Sequence, residues 1–175
     1  GADPYNIYQF KLRFGYHYQY PRNMLQLNRG PLTGEGVQFS EIGQLSGTAA
    51  TDWSWSALFC DFDGDARKDL FITNGIWRRP NDLDYLKYLS NEQVQQSAGD
   101  LELASHMPEG KVPNYAFYNK GNWTFADSSS AWGLDLLGCS NGAAYADLDA
   151  DGDPDLVLNN LNAPASLYEN RTDDG

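Results

Sequence analysis

No apolar run in this 175-residue chain approaches the roughly 18 residues that a membrane-spanning helix needs, so no span is expected. The first residues, GADPYNIYQF, lack the basic and apolar regions of a signal peptide, and the chain reads as mature and soluble. Positive charge is also scarce. Lys and Arg number 12 against 24 Asp and Glu, a net charge of −12, and Arg78-Arg79 is the only pair of adjacent arginines. With no basic patch, nucleic acid and anionic membranes are not expected partners. Two cysteines, Cys60 and Cys139, are too few for a disulfide framework and leave either one bridge or two buried thiols. Two histidines, His17 and His106, lie in unrelated segments, and no Gly-x-Ser-x-Gly or zinc-type spacing accompanies them. Catalysis therefore has thin support.

What is abundant is aspartate in ladders. Asp61, Asp63, Asp65 and Asp69 stand in CDFDGDARKDLFI, and Asp147, Asp149, Asp151 and Asp155 in ADLDADGDPDLVL. Alternate carboxylates on a tight loop converge their oxygens, and such convergence is tolerable when a hard cation sits there. In D-x-D-x-D-x-x-x-D, positions 1, 3, 5 and 9 offer carboxylates and position 7 a backbone carbonyl, here from Arg67 and Asp153. Two calcium sites are expected. Two divalent ions would move the net charge from −12 to −8, so part of the acidity is a metal requirement. An EF-hand is excluded, because its twelfth position needs a bidentate Glu and here holds Ile72 or Leu158. The first loop has Ala66 where Gly152 stands in the second, which predicts a more strained first loop. Sites of this kind fill most readily where calcium is abundant, so an extracellular, secreted or cell-surface setting is favoured.

Shifting the chain by 86 positions superposes Phe39 on Phe125, Gly47 on Gly133, Ser54 on Ser140, all four ladder aspartates, and Asn74 on Asn160. There are two copies of one unit. Each opens on an apolar-Asn-basic-Gly phrase, Leu27-Asn28-Arg29-Gly30 and Tyr118-Asn119-Lys120-Gly121, and a third start appears at Tyr168-Glu169-Asn170. Asn119 to Asn170 is 51 residues, a length that suits a four-stranded sheet. The ladder is read as a turn between two strands, and Asp82 to Leu103 as one or two helices decorating the sheets. Residues 8–20 alternate aromatic with polar side chains and predict a long strand with one aromatic face. The divisions are an aromatic strand segment (1–20), a first repeat (21–74), a helical insertion (75–113), a second repeat (114–165) and the start of a further repeat (166–175).

The phrases TDWSWSALFCDFDGDARKDLFITNG and NGAAYADLDADGDPDLVLNN resemble the FG-GAP-like, or VCBS-type, calcium-binding repeats of β-propellers, including those of integrin α-subunit heads and cartilage-acidic-protein-like secreted proteins. The resemblance covers about residues 21 to 172. It implies an all-β fold of about two propeller blades, a partial propeller, with the ladder aspartates ligating calcium. It also implies a non-catalytic module for adhesion or recognition of a protein or carbohydrate, partnered by further blades, by other copies of the chain, or by a surface protein or glycan. A structural subunit assembling through edge strands is the alternative, and a fragment of a propeller-based polysaccharide-active enzyme, using His17 beside Tyr16 or Tyr18, is another. Five tryptophans, Trp53, Trp55, Trp77, Trp123 and Trp132, are read as packing residues with sugar stacking as the alternative. If matching strands run parallel, Cys60 and Cys139 lie about 23 Å apart, too far for a disulfide, so two free thiols are expected.

Overall fold

The computed structural model describes residues 5–18, 20–31 and 36–172. They fall into two compact units, Gly1–Arg22 with Arg78–Glu109, and Asn23–Trp77 with Gly110–Gly175. The larger unit is built of antiparallel sheets. Strands β1 (Gln26–Pro31) and β2 (Val37–Glu41) form a hairpin, followed by a one-turn helix α2 (Gly43–Ser46). Strands β3 (Ser54–Cys60), β4 (Asp69–Asn74), β7 (Tyr115–Asn119) and β8 (Phe125–Asp127) make a four-stranded sheet in the order β3-β4-β7-β8. Strands β9 (Ser140–Ala146), β10 (Asp155–Asn160) and β11 (Ser166–Tyr168) make a three-stranded one in the order β11-β10-β9. Two short strands, β5 (Ile76–Arg78) and β6 (Glu109–Gly110), lie in the segment between β4 and β7.

The internal repeat is a structural repeat. Strand β3 maps onto β9 and β4 onto β10 at the 86-residue offset (54 to 140, 69 to 155), with the same pairing register: Cys60 faces Asp69 as Ala146 faces Asp155, and Leu58 faces Phe71 as Ala144 faces Val157. Even the polar closure is copied. Ser54 Oγ donates to Asn74 Oδ1 at 2.8 Å, and Ser140 Oγ to Asn160 Oδ1 at 2.8 Å. A buried hydroxyl and amide are tolerated because each supplies what the other needs.

The apolar run Leu70-Phe71-Ile72 is buried throughout because both faces of the four-stranded sheet are covered. On one face Phe71 and Ala116 pack with Leu156 and Leu158 of the neighbouring sheet, supported by Leu58, Trp132 and Tyr168. On the other, Leu70, Ile72 and Phe117 gather with Tyr115 and Phe125. Each fully buried side chain of this size contributes about 1.5–3 kcal/mol. At the junction of the sheets Gly75 has φ +111°, and a Cβ there would sit 2.5 Å from the Gly138 carbonyl oxygen and 2.7 Å from Cys139 Cα. Only glycine fits. Cys139 thus adjoins the far end of β4, whereas Cys60 pairs with Asp69 at its beginning; both cysteines are buried and neither is in a disulfide.

The smaller unit is helical. Helices α3 (Leu83–Leu89), α4 (Glu92–Ser97) and α5 (Asp100–His106) lie within it; Asp82 caps α3 by accepting from the Asp84 and Tyr85 amides, and Asn91 caps α4 through Gln93. The aromatic strand expected over residues 8–20 is not formed. Tyr5–Arg13 is a helix, α1, ended by Gly15 at φ +77°. Alternation at even positions also places residues four apart on one helical face, and Phe10 meets Phe14 with ring centroids 4.6 Å apart. With good helix formers at Gln9, Lys11, Leu12 and Arg13 and no partner strand among the described residues, the local preference decides. Gln19 of that expected strand lies outside the described residues.

Candidate metal centre

Each ladder occupies the turn between the first two strands of its sheet. In the first loop one carboxylate oxygen from each of Asp61, Asp63 and Asp65 lies within 4.8 Å of the others; Asp147, Asp149 and Asp151 do the same in the second. The first trio is half-buried and the second exposed. The convergence has a backbone cause. Positions 4 and 6 are left-handed in both loops: Gly64 (φ 72°) and Ala66 (φ 66°) in one, Ala150 (φ 68°) and Gly152 (φ 105°) in the other. The turns so formed let the amide of Ala66 donate to Asp61 Oδ2 at 2.8 Å and that of Ala150 to Asp147 Oδ1 at 2.7 Å. Asp65 N also donates to Asp61 Oδ1 and Asp63 Oδ1.

The expected asymmetry of strain is absent, since each loop places one Ala and one Gly at its two left-handed positions, in opposite order. A left-handed Ala costs about 1–2 kcal/mol. Ala66→Gly should therefore raise the thermal midpoint by about 2–4 °C, some of the gain being returned to the more flexible unfolded chain. Gly152→Ala should lower it. Differential scanning calorimetry on the two variants checks the pair.

Like charges and burial raise proton affinity here. Burial, then the neighbouring Asp65 and Asp61, push the Asp63 carboxyl above the usual carboxylate range, against a lowering hydrogen bond from the Asp65 amide. Asp149 is also raised, by desolvation and by Asp151. The donor set is all oxygen and anionic, which suits a hard divalent cation of calcium's size and flexible coordination.

The remaining ladder residues sit elsewhere. Asp69 and Asp155 begin β4 and β10, are 0% and 2% exposed, and use their carboxylates to knit strands together. Asp69 Oδ2 accepts from Phe62 N (3.1 Å) and Oδ1 from Asn119 N (2.8 Å); Asp155 Oδ2 accepts from Leu148 N (2.8 Å) and Oδ1 from Asn170 N (2.9 Å). Burial raises the Asp69 carboxyl, partly offset by the Asn119 and Phe62 amides. At position 7, Arg67 sends its guanidinium to the Asp65 carboxylate, to Tyr118 Oη (3.1 Å) and to the Asn119 carbonyl (3.1 Å), while Asp153 is buried and accepts from Thr172 N (3.1 Å).

Sequence reading took the apolar-Asn phrases as markers of repeat starts and missed their work. Asn119 Nδ2 donates to the Lys68 carbonyl at 2.8 Å, and Asn170 Nδ2 donates to the equivalent Pro154 carbonyl at 3.4 Å and to the Phe62 carbonyl of the first loop at 2.8 Å. Thr172 Oγ1 joins it on Phe62 at 3.0 Å. The third strand of each sheet clamps that sheet's ladder loop, and the second clamp holds the first loop too. Each Asn was visible in its phrase, but it follows the ladder it clamps by 50 residues in one copy (Asp69 to Asn119) and by 15 in the other (Asp155 to Asn170), so the contact needs the folded pairing.

Residues 98–158, which include the whole second ladder, match the FG-GAP-like repeat family. Over 57 residues the chain is 42% identical to cartilage acidic protein 1 of Mus musculus, 42% to that of Xenopus tropicalis and 40% to that of Homo sapiens. Those 57 residues are 32% of this chain and 9% of each relative. That match lies within residues 21 to 172, over which the resemblance was read from the sequence, and holds the second of its two loops.

Proposed function

We propose that this FG-GAP-like chain is a calcium-stapled segment of a β-propeller, working outside the cell in adhesion or recognition and not as an enzyme. The observation that carries the reading is the duplicated loop: three converging carboxylates, twice, on turns of the same left-handed pattern. Asp61, Asp63 and Asp65 would hold one ion and Asp147, Asp149 and Asp151 the other, with the position 7 carbonyls of Arg67 and Asp153 and the carboxylates of Asp69 and Asp155 as the remaining ligand candidates. Calcium bound there would neutralise the carboxylates and lock the turn between strands. The relatives named for cartilage favour an extracellular place, and no helix among the described residues is long and apolar enough to cross a membrane. Both histidines are locally engaged, His17 Nδ1 lying 3.1 Å from the Tyr18 carbonyl oxygen and His106 stacking on Tyr88, which favours the non-catalytic reading.

The partner reading comes from the sheet faces. Leu156 and Leu158 cover the face of Leu58, Phe71 and Ala116. By the repeat register, the counterparts of those three are Ala144, Val157 and Leu167, and Leu167 is 65% exposed. That face fits the Leu-x-Leu face of another such sheet, from a further repeat or a second copy.

Calorimetric calcium titration tests the metal reading. Wild type should bind two ions, and Asp63→Ala and Asp149→Ala one each, because each removes a central carboxylate of one trio. Unchanged stoichiometry in both variants overturns it.

A further inference from the structure

Between the β1–β2 hairpin and the outer part of the four-stranded sheet lies a groove of about 500 Å³, within the range of small-ligand sites. Its walls include Phe59, Phe125 and Trp123, and its charged residues are Arg67 and Lys68. Among the described residues no Asp or Glu lines it, in a chain where acidic residues outnumber basic ones 24 to 12. Arg67 is engaged by Asp65, whereas Lys68 is exposed with its ammonium group available. Lys68 is therefore the charge this groove offers a ligand.

The second observation is Trp123 itself. The β7–β8 turn closes with Thr124 N donating to the Gly121 carbonyl at 3.1 Å, and its two central residues, Asn122 and Trp123, both have positive φ (52° and 64°). This is the sign pattern of a type I′ turn, whose second central position calls for glycine. A bulky aromatic there is a backbone outlier. Nor does packing explain the residue, since Trp123 is 58% exposed. A strained backbone that presents an indole at the mouth of a cationic groove is the arrangement a ligand site needs.

We propose that this groove binds a carboxylate-bearing sugar, a uronic-acid residue of an acidic glycan. The indole of Trp123 stacks on the apolar face of the pyranose ring and Lys68 meets the carboxylate, with the Asn122 amide available to ring hydroxyls. An aromatic platform selects a sugar over a plain acidic peptide, and the cation selects an acidic sugar over a neutral one. The inference deepens the recognition reading, on which it rests; because Lys68 stands in the first ladder loop, its test is run with calcium present.

The test is isothermal titration of the chain, in millimolar calcium, with a glucuronate-containing tetrasaccharide, its carboxyl-reduced counterpart and a short poly-glutamate. Saturable binding of the first is expected, with the other two at least tenfold weaker. Trp123→Gly should lose at least tenfold in affinity yet melt at or above the wild-type temperature, because glycine suits the turn; Lys68→Glu should lose as much without a change in folding. Equal binding of the carboxyl-reduced sugar or of poly-glutamate, undiminished binding by both variants, or no binding of the acidic sugar overturns the proposal. Failure here leaves the recognition reading to its own test, the mass of the chain in solution, where assembly through the open sheet face would appear.

Discussion

In millimolar calcium the protein should unfold about 10–20 °C above its midpoint in excess chelator. An ion held by the native state alone adds RT ln(1 + [L]/Kd), about 2.7 kcal/mol at a hundredfold excess over Kd, and two independent sites add about twice that. For a chain of this size each kcal/mol moves the midpoint by about 2–4 °C. The physical source is repulsion relieved. Each loop gathers three carboxylates whose oxygens lie within 4.8 Å of one another, and the proton affinities of Asp63 and Asp149 are raised first by desolvation and then by the neighbouring carboxylates. Protons and calcium then compete for the same oxygens. Because these two carboxyls are raised, they take up protons at a higher pH than ordinary carboxylates, so the calcium increment should shrink as pH falls through that elevated range and stay full above it. Coincident melting curves with calcium and with chelator would refute the metal reading.

The repeat and its two loops were legible because their determinants are local. Asp at alternate positions, small residues at the left-handed positions 4 and 6, and β-branched or aromatic residues on either side each state their conformation within about ten residues, and the copy 86 residues on repeats it. The helices after Asp82 were legible through the spacing of Leu83, Leu86 and Leu89 and the helix formers around them, but three short helices form where one or two were expected. What failed was the segment over residues 8–20, where period-two alternation is shared by one strand face and by pairs four apart on a helix; Phe10 and Phe14 realise the second. Still less visible was anything that depends on pairing at long range. Asn170 reaches Phe62, 108 residues away, and Arg67 reaches Tyr118, 51 away. No window of sequence contains both ends.

Replacing Asp69 with Ala should cost about 2–6 kcal/mol, and the loss should persist in chelator. Sequence spacing and family resemblance make Asp69 a metal ligand, yet its carboxylate is fully buried and accepts from the backbone amides of Phe62 and Asn119. Alanine leaves both donors buried without an acceptor, at about 1–3 kcal/mol each. Asp155→Ala should behave alike, stranding the amides of Leu148 and Asn170. Asn keeps one carbonyl oxygen, so Asp69→Asn should fall between wild type and Ala. Asp84→Ala, at an exposed position in α3, should stay within about 0.5 kcal/mol of wild type. Urea unfolding with and without chelator separates the two roles of this position. If Asp69 acts only by holding calcium, the variant and wild type become equally stable once the metal is removed; if it staples the loop to β7, as its two amide partners indicate, the gap between them stays open in both conditions.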